Sequence, residues 1–314
     1  MAEQQPLVQL ATPQRPARRH PEWLKVRAPF GAEVHNLKHL VNHLNLHTVC
    51  QEAICPNMGE CWAHKVATFI ILGDICTRGC RYCAVSKGKP EETDWTEPGR
   101  VAQAVQEMGL RHAVITSVNR DDLPDGGATI FAQTVREIRG LSPGCAVELL
   151  IPDFEGSEEA LRIVLDSEPE ILGHNVETVP RLYKKARGGG VYQVSLQLLR
   201  RVADSGLPIV PKTGLMLGLG ETAEEIRDVM ADLLECRVQI LTLGQYLRPS
   251  RWHLPVARYY HPDEFQYWKQ VGEEMGFVHV ESGPLVRSSY LADRQFESYQ
   301  DQKSGVRIQN EDGS

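Results

Sequence analysis

A-T-F-I-I-L-G-D-I-C-T-R-G-C-R-Y-C, Ala67–Cys83, decides the fold. Ala67–Leu72 is a short apolar run rich in β-branched residues, the signature of a buried strand. Directly after it come Cys76, Cys80 and Cys83, spaced C-x3-C-x2-C. The spacing therefore puts three thiols on a loop at a strand's carboxyl end. In parallel α/β folds that is the end where chemistry sits. A zinc site usually shows paired C-x2-C elements or added histidines at ligand spacing, and this triplet has neither. Three closely spaced thiolates can hold three irons of a 4Fe-4S cluster and leave the fourth open to another ligand.

Downstream, apolar runs alternate with amphipathic helical stretches. The predicted strands are Ala67–Leu72, Ala113–Ser117, Ala146–Ile151, Glu170–Leu172, Ile209–Leu217 and Gln239–Leu243. Helices are predicted near Arg100–Met108, Ala128–Arg139, Ser157–Leu165, Val191–Asp204, Thr222–Leu234 and Pro262–Met275. Pro98 and Thr222 read as helix starts, Gly109 and Gly206 as stops. Six such units imply a parallel sheet with right-handed crossovers. Six are too few for a closed eight-fold barrel, so a partial barrel or a doubly wound sheet fits.

Upstream, Cys50, Cys55 and Cys61 form a second triplet, C-x4-C-x5-C, in an irregular segment with Pro56 and Gly59. Alone it is weaker, since a fourth ligand elsewhere could close a structural cluster. The 314 residues carry a net charge of -7. That balance argues against a broad nucleic-acid surface. No run reaches the roughly 18 apolar residues of a membrane span. The first residues lack the pattern of a secretory signal. The expected location is cytoplasmic, where clustered cysteines are more often metal ligands than disulfides.

With its aromatic Tyr82, the second triplet resembles the radical S-adenosylmethionine (SAM) enzymes, whose signature is C-x3-C-x-aromatic-C. The resemblance implies that SAM chelates the open iron and is cleaved to a 5′-deoxyadenosyl radical. Within that group, T-L-G-Q-Y-L (Thr242–Leu247) and five further features together resemble the lipoyl synthase family. The five are the first triplet in its context Leu46–Trp62, T-S-V-N-R-D-D-L-P-D-G-G (Thr116–Gly127), H-N-V-E-T-V (His174–Val179), K-T-G-L-M-L-G-L-G-E-T (Lys212–Thr222) and R-S-S-Y (Arg287–Tyr290). The likeness spans about Leu46 to Tyr290. It implies an auxiliary 4Fe-4S cluster on Cys50, Cys55 and Cys61, with Ser289 as fourth ligand. Serine oxygen is a harder, weaker ligand for iron than thiolate, which suits a corner released in turnover. Leu291 departs from the family, where histidine is common. The resemblance also implies SAM contacts from Tyr82, Asn175, Glu177 and Lys212.

The implied fold is α/β: a partial (βα)6 TIM-type barrel with N-terminal and C-terminal extensions carrying the auxiliary cluster. The implied parts are a flexible basic arm (1–30), an N-terminal extension (31–65), the barrel (66–282), an R-S-S-Y segment (283–299) and a disordered tail (300–314). The implied activity inserts two sulfur atoms, at carbons 6 and 8, into an octanoyl chain borne on a lysine. Implied partners are octanoylated lipoyl-carrier proteins (2-oxoacid dehydrogenase E2 domains and glycine cleavage H protein), a ferredoxin or flavodoxin reductant, and an iron–sulfur cluster carrier. A methylthiolating or biotin-forming relative, or a non-enzymatic iron–sulfur carrier, are the competing readings.

Other features have plainer readings. His35, His39 and His43 share a helix face, expected to be an exposed polar surface. Cys145 and Cys236 are expected in the core. Asp121, Asp122 and Asp125 read as solvated charge. Gly214, Gly218 and Gly220 either allow close approach of a nucleoside or serve tight turns.

Overall fold

The structure, a computed structural model, describes residues 20–25, 32–52, 55 and 57–311. Most of the basic arm expected over 1–30 lies outside the described residues. Strands run in chain order as β1 (His47–Thr48), β2 (Val66–Ile71), β3 (Ile75–Cys76), β4 (Ser86–Lys87), β5 (His112–Ser117), β6 (Ala146–Leu150), β7 (Ile171–Gly173), β8 (Val210–Leu217), β9 (Ile240–Gln245) and β10 (His279–Gly283).

Eight of them form one sheet in the order β1-β2-β5-β6-β7-β8-β9-β10. All neighbours are parallel except β1 against β2. The order follows the chain without reversal, as in a singly wound barrel, whereas a doubly wound sheet would switch direction at its middle. Among the described residues β10 pairs only with β9, so the barrel is open. Every residue of β2 and of β9 is buried, as continuous apolar runs in parallel sheets should be.

The predicted helices form within a few residues of their expected bounds, and Pro262–Met275 coincides. Local chemistry accounts for the ends. Thr222 and Glu225 make a reciprocal capping box that starts Ala223–Glu235. Gly109, at φ 58°, ends Glu97–Met108 in the left-handed conformation. His35, His39 and His43 are exposed on Ala32–His43, and Cys145 and Cys236 are buried.

Three elements depart from expectation. β10 adds a seventh parallel strand, because H-V-E-S-G is too short and polar to announce itself yet pairs residue for residue with β9. Pro180–Ala186 is an additional helix. The chain beyond Tyr299, expected to be disordered, continues as the helix Ala292–Glu311. That segment is rich in Gln, Glu, Lys and Arg, which favour helix, and its start is anchored. Ala292 is fully buried, and Asp293 accepts from Arg111 at 2.9 Å.

Candidate active site

The loop after β2 is held by one buried arginine. Arg78 forks between Asp121 (2.8 Å) and Asp153 (2.7 Å), which follow β5 and β6. The clamp fixes the cysteine loop over the carboxyl ends of three neighbouring strands. Cys76 Sγ accepts from the backbone N–H of Arg78 (3.4 Å) and of Asn119 (3.3 Å). Burial pushes the Cys83 thiol up to about 11. Buried thiolates need a positive charge nearby, and bound iron supplies one. Among the described residues no three His, Cys, Asp or Glu side chains converge as ligands of a single ion do.

A cavity of about 370 Å³ opens beside this loop. Cys76, Cys80 and Cys83 line it, as do Tyr82, Asn175 and Glu177. Ile70, Val118, Leu150 and Ile151 give it an apolar wall. The same cavity reaches His47, Val49 and Glu52, which flank Cys50. Glu177 is held at φ 67°, a strained value for a residue with a side chain. Its carboxyl is pushed up by burial, against the pull of Arg187, Asn175 and Tyr82.

No local pattern singles out Arg187. It lines the cavity and donates to the backbone oxygen of Asn175, to Tyr183 Oη (2.9 Å) and to His174 Nε2 (3.0 Å). His174 Nδ1 faces the Ile151 carbonyl at 2.8 Å, so Nδ1 carries the proton and Nε2 accepts. Burial, then Arg187, pulls His174 down to about 3, which keeps the ring neutral. Only the partner positions, on four separate segments, reveal this network.

The first triplet sits between distant parts of the chain. Cys50 and Cys61 are buried, and Cys55 is half-buried. Burial pushes Cys61 up to about 12 and Cys50 up to about 11, with smaller upward pushes from Cys55 on both and from Cys50 on Cys61. The R-S-S-Y turn closes over them. Asn57 donates to the Leu285 carbonyl (2.7 Å), and Tyr290 donates to Glu60 (3.0 Å). Arg287 lies near Cys55, and the Leu291 backbone hydrogen-bonds Cys61. Leu291 takes a left-handed φ of 44° to do so. Ser289 is half-buried in this turn. Its neighbour Ser288 lies 3.5 Å from Asn175 Nδ2, so the turn touches both cysteine regions.

Three sequence readings meet particular contacts in the structure. Lys212, expected at the SAM carboxylate, does not line the cavity. It is the third residue of β8, far from that strand's carboxyl end, and is 1% exposed. Its Nζ donates to both oxygens of Glu148, at 2.8 and 2.9 Å. Gly214 and Gly218 lie close against the protein's own side chains. A Cβ at Gly214 would lie 2.8 Å from Asn175 Oδ1, and one at Gly218 would collide with Gln245. The acidic loop is engaged: Asp121 by Arg78, Asp122 by Arg120 at 2.9 Å, and Asp125 by the backbone at Gly127 and Thr129.

An open, singly wound barrel with a three-cysteine loop after its first parallel strand defines a class, and the comparisons agree. Residues 70–233 match the Radical SAM superfamily, and residues 2–55 match the N-terminal domain of lipoyl synthase of that family. Among solved structures, the chain resembles Streptococcus suis SuiB bound to S-adenosylmethionine (TM-score 0.52, 10% identity, 70% of this chain and 50% of that one). It also resembles coproporphyrinogen III oxidase from Escherichia coli (TM-score 0.50, 11% identity, 86% and 63%). At those identities the likeness carries the fold alone.

Curated relatives are far nearer. Lipoyl synthase of Koribacter versatilis is 57% identical over 91% of this chain and 94% of its own length. Those of Rubrobacter xylanophilus (57%, 88% and 86%) and Roseiflexus sp. (54%, 93% and 97%) are similar. The chain belongs to the lipoyl synthase family of radical SAM enzymes.

Proposed function

We propose that the chain inserts two sulfur atoms, at carbons 6 and 8, into the octanoyl group on a lysine of lipoyl-carrier proteins. The carriers meant are 2-oxoacid dehydrogenase E2 domains and glycine cleavage H protein. One observation carries the reading. A single cavity is walled both by the Cys76–Cys80–Cys83 loop and by the residues flanking Cys50. A radical-forming centre and a sulfur source must both reach one chain, and this cavity touches the surroundings of both.

In this reading Cys76, Cys80 and Cys83 hold a 4Fe-4S cluster with SAM. Cys50, Cys55, Cys61 and Ser289 hold the auxiliary one. When bound, these groups supply the radical that abstracts hydrogen and the sulfur that replaces it. The protein's part is placement and protection. Tyr82, Asn175 and Glu177 present polar groups to SAM. Arg187 supplies the cation at this end of the cavity that Lys212 does not. Neutral His174 orients Arg187 without adding a second charge. Ile70, Val118, Leu150 and Ile151 offer the octanoyl chain a dry wall. Residues 31–65 and 283–299 close over the auxiliary site, and 66–282 form the barrel. A ferredoxin or flavodoxin provides electrons, an iron–sulfur carrier restores the auxiliary site, and the setting is cytoplasmic. No helix among the described residues is long and apolar enough to cross a membrane.

The test is anaerobic reconstitution with iron and sulfide, then turnover on an octanoylated carrier domain. The expected result is about eight irons per chain, 5′-deoxyadenosine, and a lipoyl product by mass spectrometry. 5′-Deoxyadenosine without lipoyl product would point to another radical SAM reaction. About four irons and no SAM cleavage would sink the reading.

A further inference from the structure

Although the whole chain is acidic, three segments are not. Ile75–Pro90, Pro180–Gly190 and Leu247–Tyr259 together carry eleven Lys or Arg and no Asp or Glu. The fold brings them together at the second cysteine loop. Arg81 N–H donates to the Ala186 carbonyl (2.8 Å), and Leu254 N–H donates to the Arg81 carbonyl (2.9 Å). His253 Nε2 lies 2.8 Å from the Cys83 carbonyl, and its Nδ1 lies 2.8 Å from Ser250 Oγ. His253 therefore donates to Cys83 and accepts from Ser250. The loop that presents it, Arg248–Leu254, is thus one hydrogen bond from the cysteine loop.

Arg81, Lys184, Lys185, Arg248 and Arg251 are exposed there, and among the described residues none of them is ion-paired with a carboxylate. Arg248 spends its donors on the carbonyls of Arg251 and His253. Arg251 lies over the ring of Trp252, 4.8 Å from its centroid. Trp252 is 76% exposed, the highest value among the exposed large hydrophobic residues described. An exposed tryptophan stacked under one unpaired cation, in segments that carry several more, has the composition of a docking site.

We propose that this patch docks a small acidic electron-transfer protein that reduces the site at Cys76, Cys80 and Cys83. The proposal rests on the radical SAM reading above. In the step, one electron leaves the partner's reduced cofactor and enters the iron–sulfur group held by the triplet, and no bond or proton moves. Two arguments select this partner over the acyl carrier. None of the six patch residues lines the cavity, whereas a carrier must deliver its arm into it. The patch lies against the cysteine loop, and electron transfer depends steeply on that closeness. Opposite charge also accelerates the encounter, by 10- to about 1000-fold at low salt.

The test compares the wild-type chain with a K184E/K185E/R251E variant, whose altered side chains hold no hydrogen bond in the structure, and with Trp252→Ala. SAM cleavage by the reconstituted chain is followed with reduced flavodoxin and, separately, with dithionite. Binding of oxidised flavodoxin to the cluster-free chain is followed by fluorescence anisotropy at low and high salt. The triple variant should lose about tenfold or more in flavodoxin-driven rate and in flavodoxin affinity. Its salt dependence should flatten, and its dithionite rate should stay within about twofold of wild type. Trp252→Ala should weaken flavodoxin binding at both salt concentrations. Unchanged flavodoxin affinity overturns the proposal. So does an equal loss with both reductants, or a loss confined to the KM for octanoylated carrier, which would make the patch a carrier dock. If dithionite drives no SAM cleavage even in the wild-type chain, the radical SAM reading fails instead.

Discussion

The two cysteine regions are built on opposite principles. The Cys76–Cys80–Cys83 loop spans eight consecutive residues, opens onto a cavity, and is pinned through its own Arg78 to Asp121 and Asp153 on two neighbouring loops. The Cys50–Cys55–Cys61 region is largely buried, and a turn more than two hundred residues away closes it. A local loop can take up iron as soon as its strand forms. The other region is complete only after the barrel has formed and the R-S-S-Y turn has docked. In the proposed chemistry that suits their fates: one centre is reused, and the other surrenders sulfur and must be opened to be rebuilt.

Removing one thiol from each region should separate them most sharply. Cys80→Ala should abolish 5′-deoxyadenosine and lipoyl product alike while leaving about four irons per chain at the other site. Cys61→Ala should abolish lipoyl product yet retain SAM cleavage, again with about four irons. Iron analysis and product mass spectrometry on both variants decide it. Full lipoyl synthesis by Cys61→Ala would remove the sulfur donor from the reading.

That asymmetry also sets what the sequence could disclose. Cys76, Cys80, Cys83 and Tyr82 are legible because spacing within one loop is itself the geometry. The six strands and their helices are legible because burial imposes a period on the residues. The burial of Lys212 was not legible because a charged residue in a strand looks like a pocket group, and its partner Glu148 lies two strands away in the sheet. Arg78, Arg187 and His174 act through contacts across separate loops, which no local pattern encodes. Ser289 has no ligand signature of its own, and only the family resemblance pointed to its turn.

The buried Lys212–Glu148 pair lies below both regions, so breaking it should harm them equally. Lys212→Met leaves Glu148 buried without its cation, costing about 3–5 kcal/mol of stability. Burial works to raise the Glu148 carboxyl, but Lys212 and His112 outweigh it and hold the group below the ordinary value. The pair's contribution is therefore fully present above the unfolded carboxylate pKa of about 4.3. It is lost as pH falls through the lower folded value. Denaturant melts of wild type and variant should differ most near neutral pH and converge in acid. A difference that does not shrink in acid would show that the pair adds no pH-dependent stability.

Arg78→Met should strike one region alone. It frees the cysteine loop and leaves Asp153 buried without its partner. Outer contacts of this kind are worth about 10- to 100-fold in metal affinity. Iron should leak from the second triplet about that much faster in a chelator challenge, while the first triplet keeps its iron. Equal leakage from both would mean that the cavity couples them more tightly than the separate contacts suggest.

The smallest effect should come from the turn that joins the regions. Tyr290→Phe removes one hydroxyl, whose hydrogen bond to Glu60 is partly exposed to water. Such a bond contributes about 1 kcal/mol, and Glu60 can turn to solvent once released. Overall melting should barely change. The loss should appear locally, as faster amide exchange in Asn57–Cys61 and Leu285–Leu291, with Arg78–Cys83 unaffected. Ser288 lies 3.5 Å from Asn175, so it is the contact through which any effect would cross. If Tyr290→Phe also quickened exchange at Asn175, the turn would be a rigid bridge, and the two regions would open and close together.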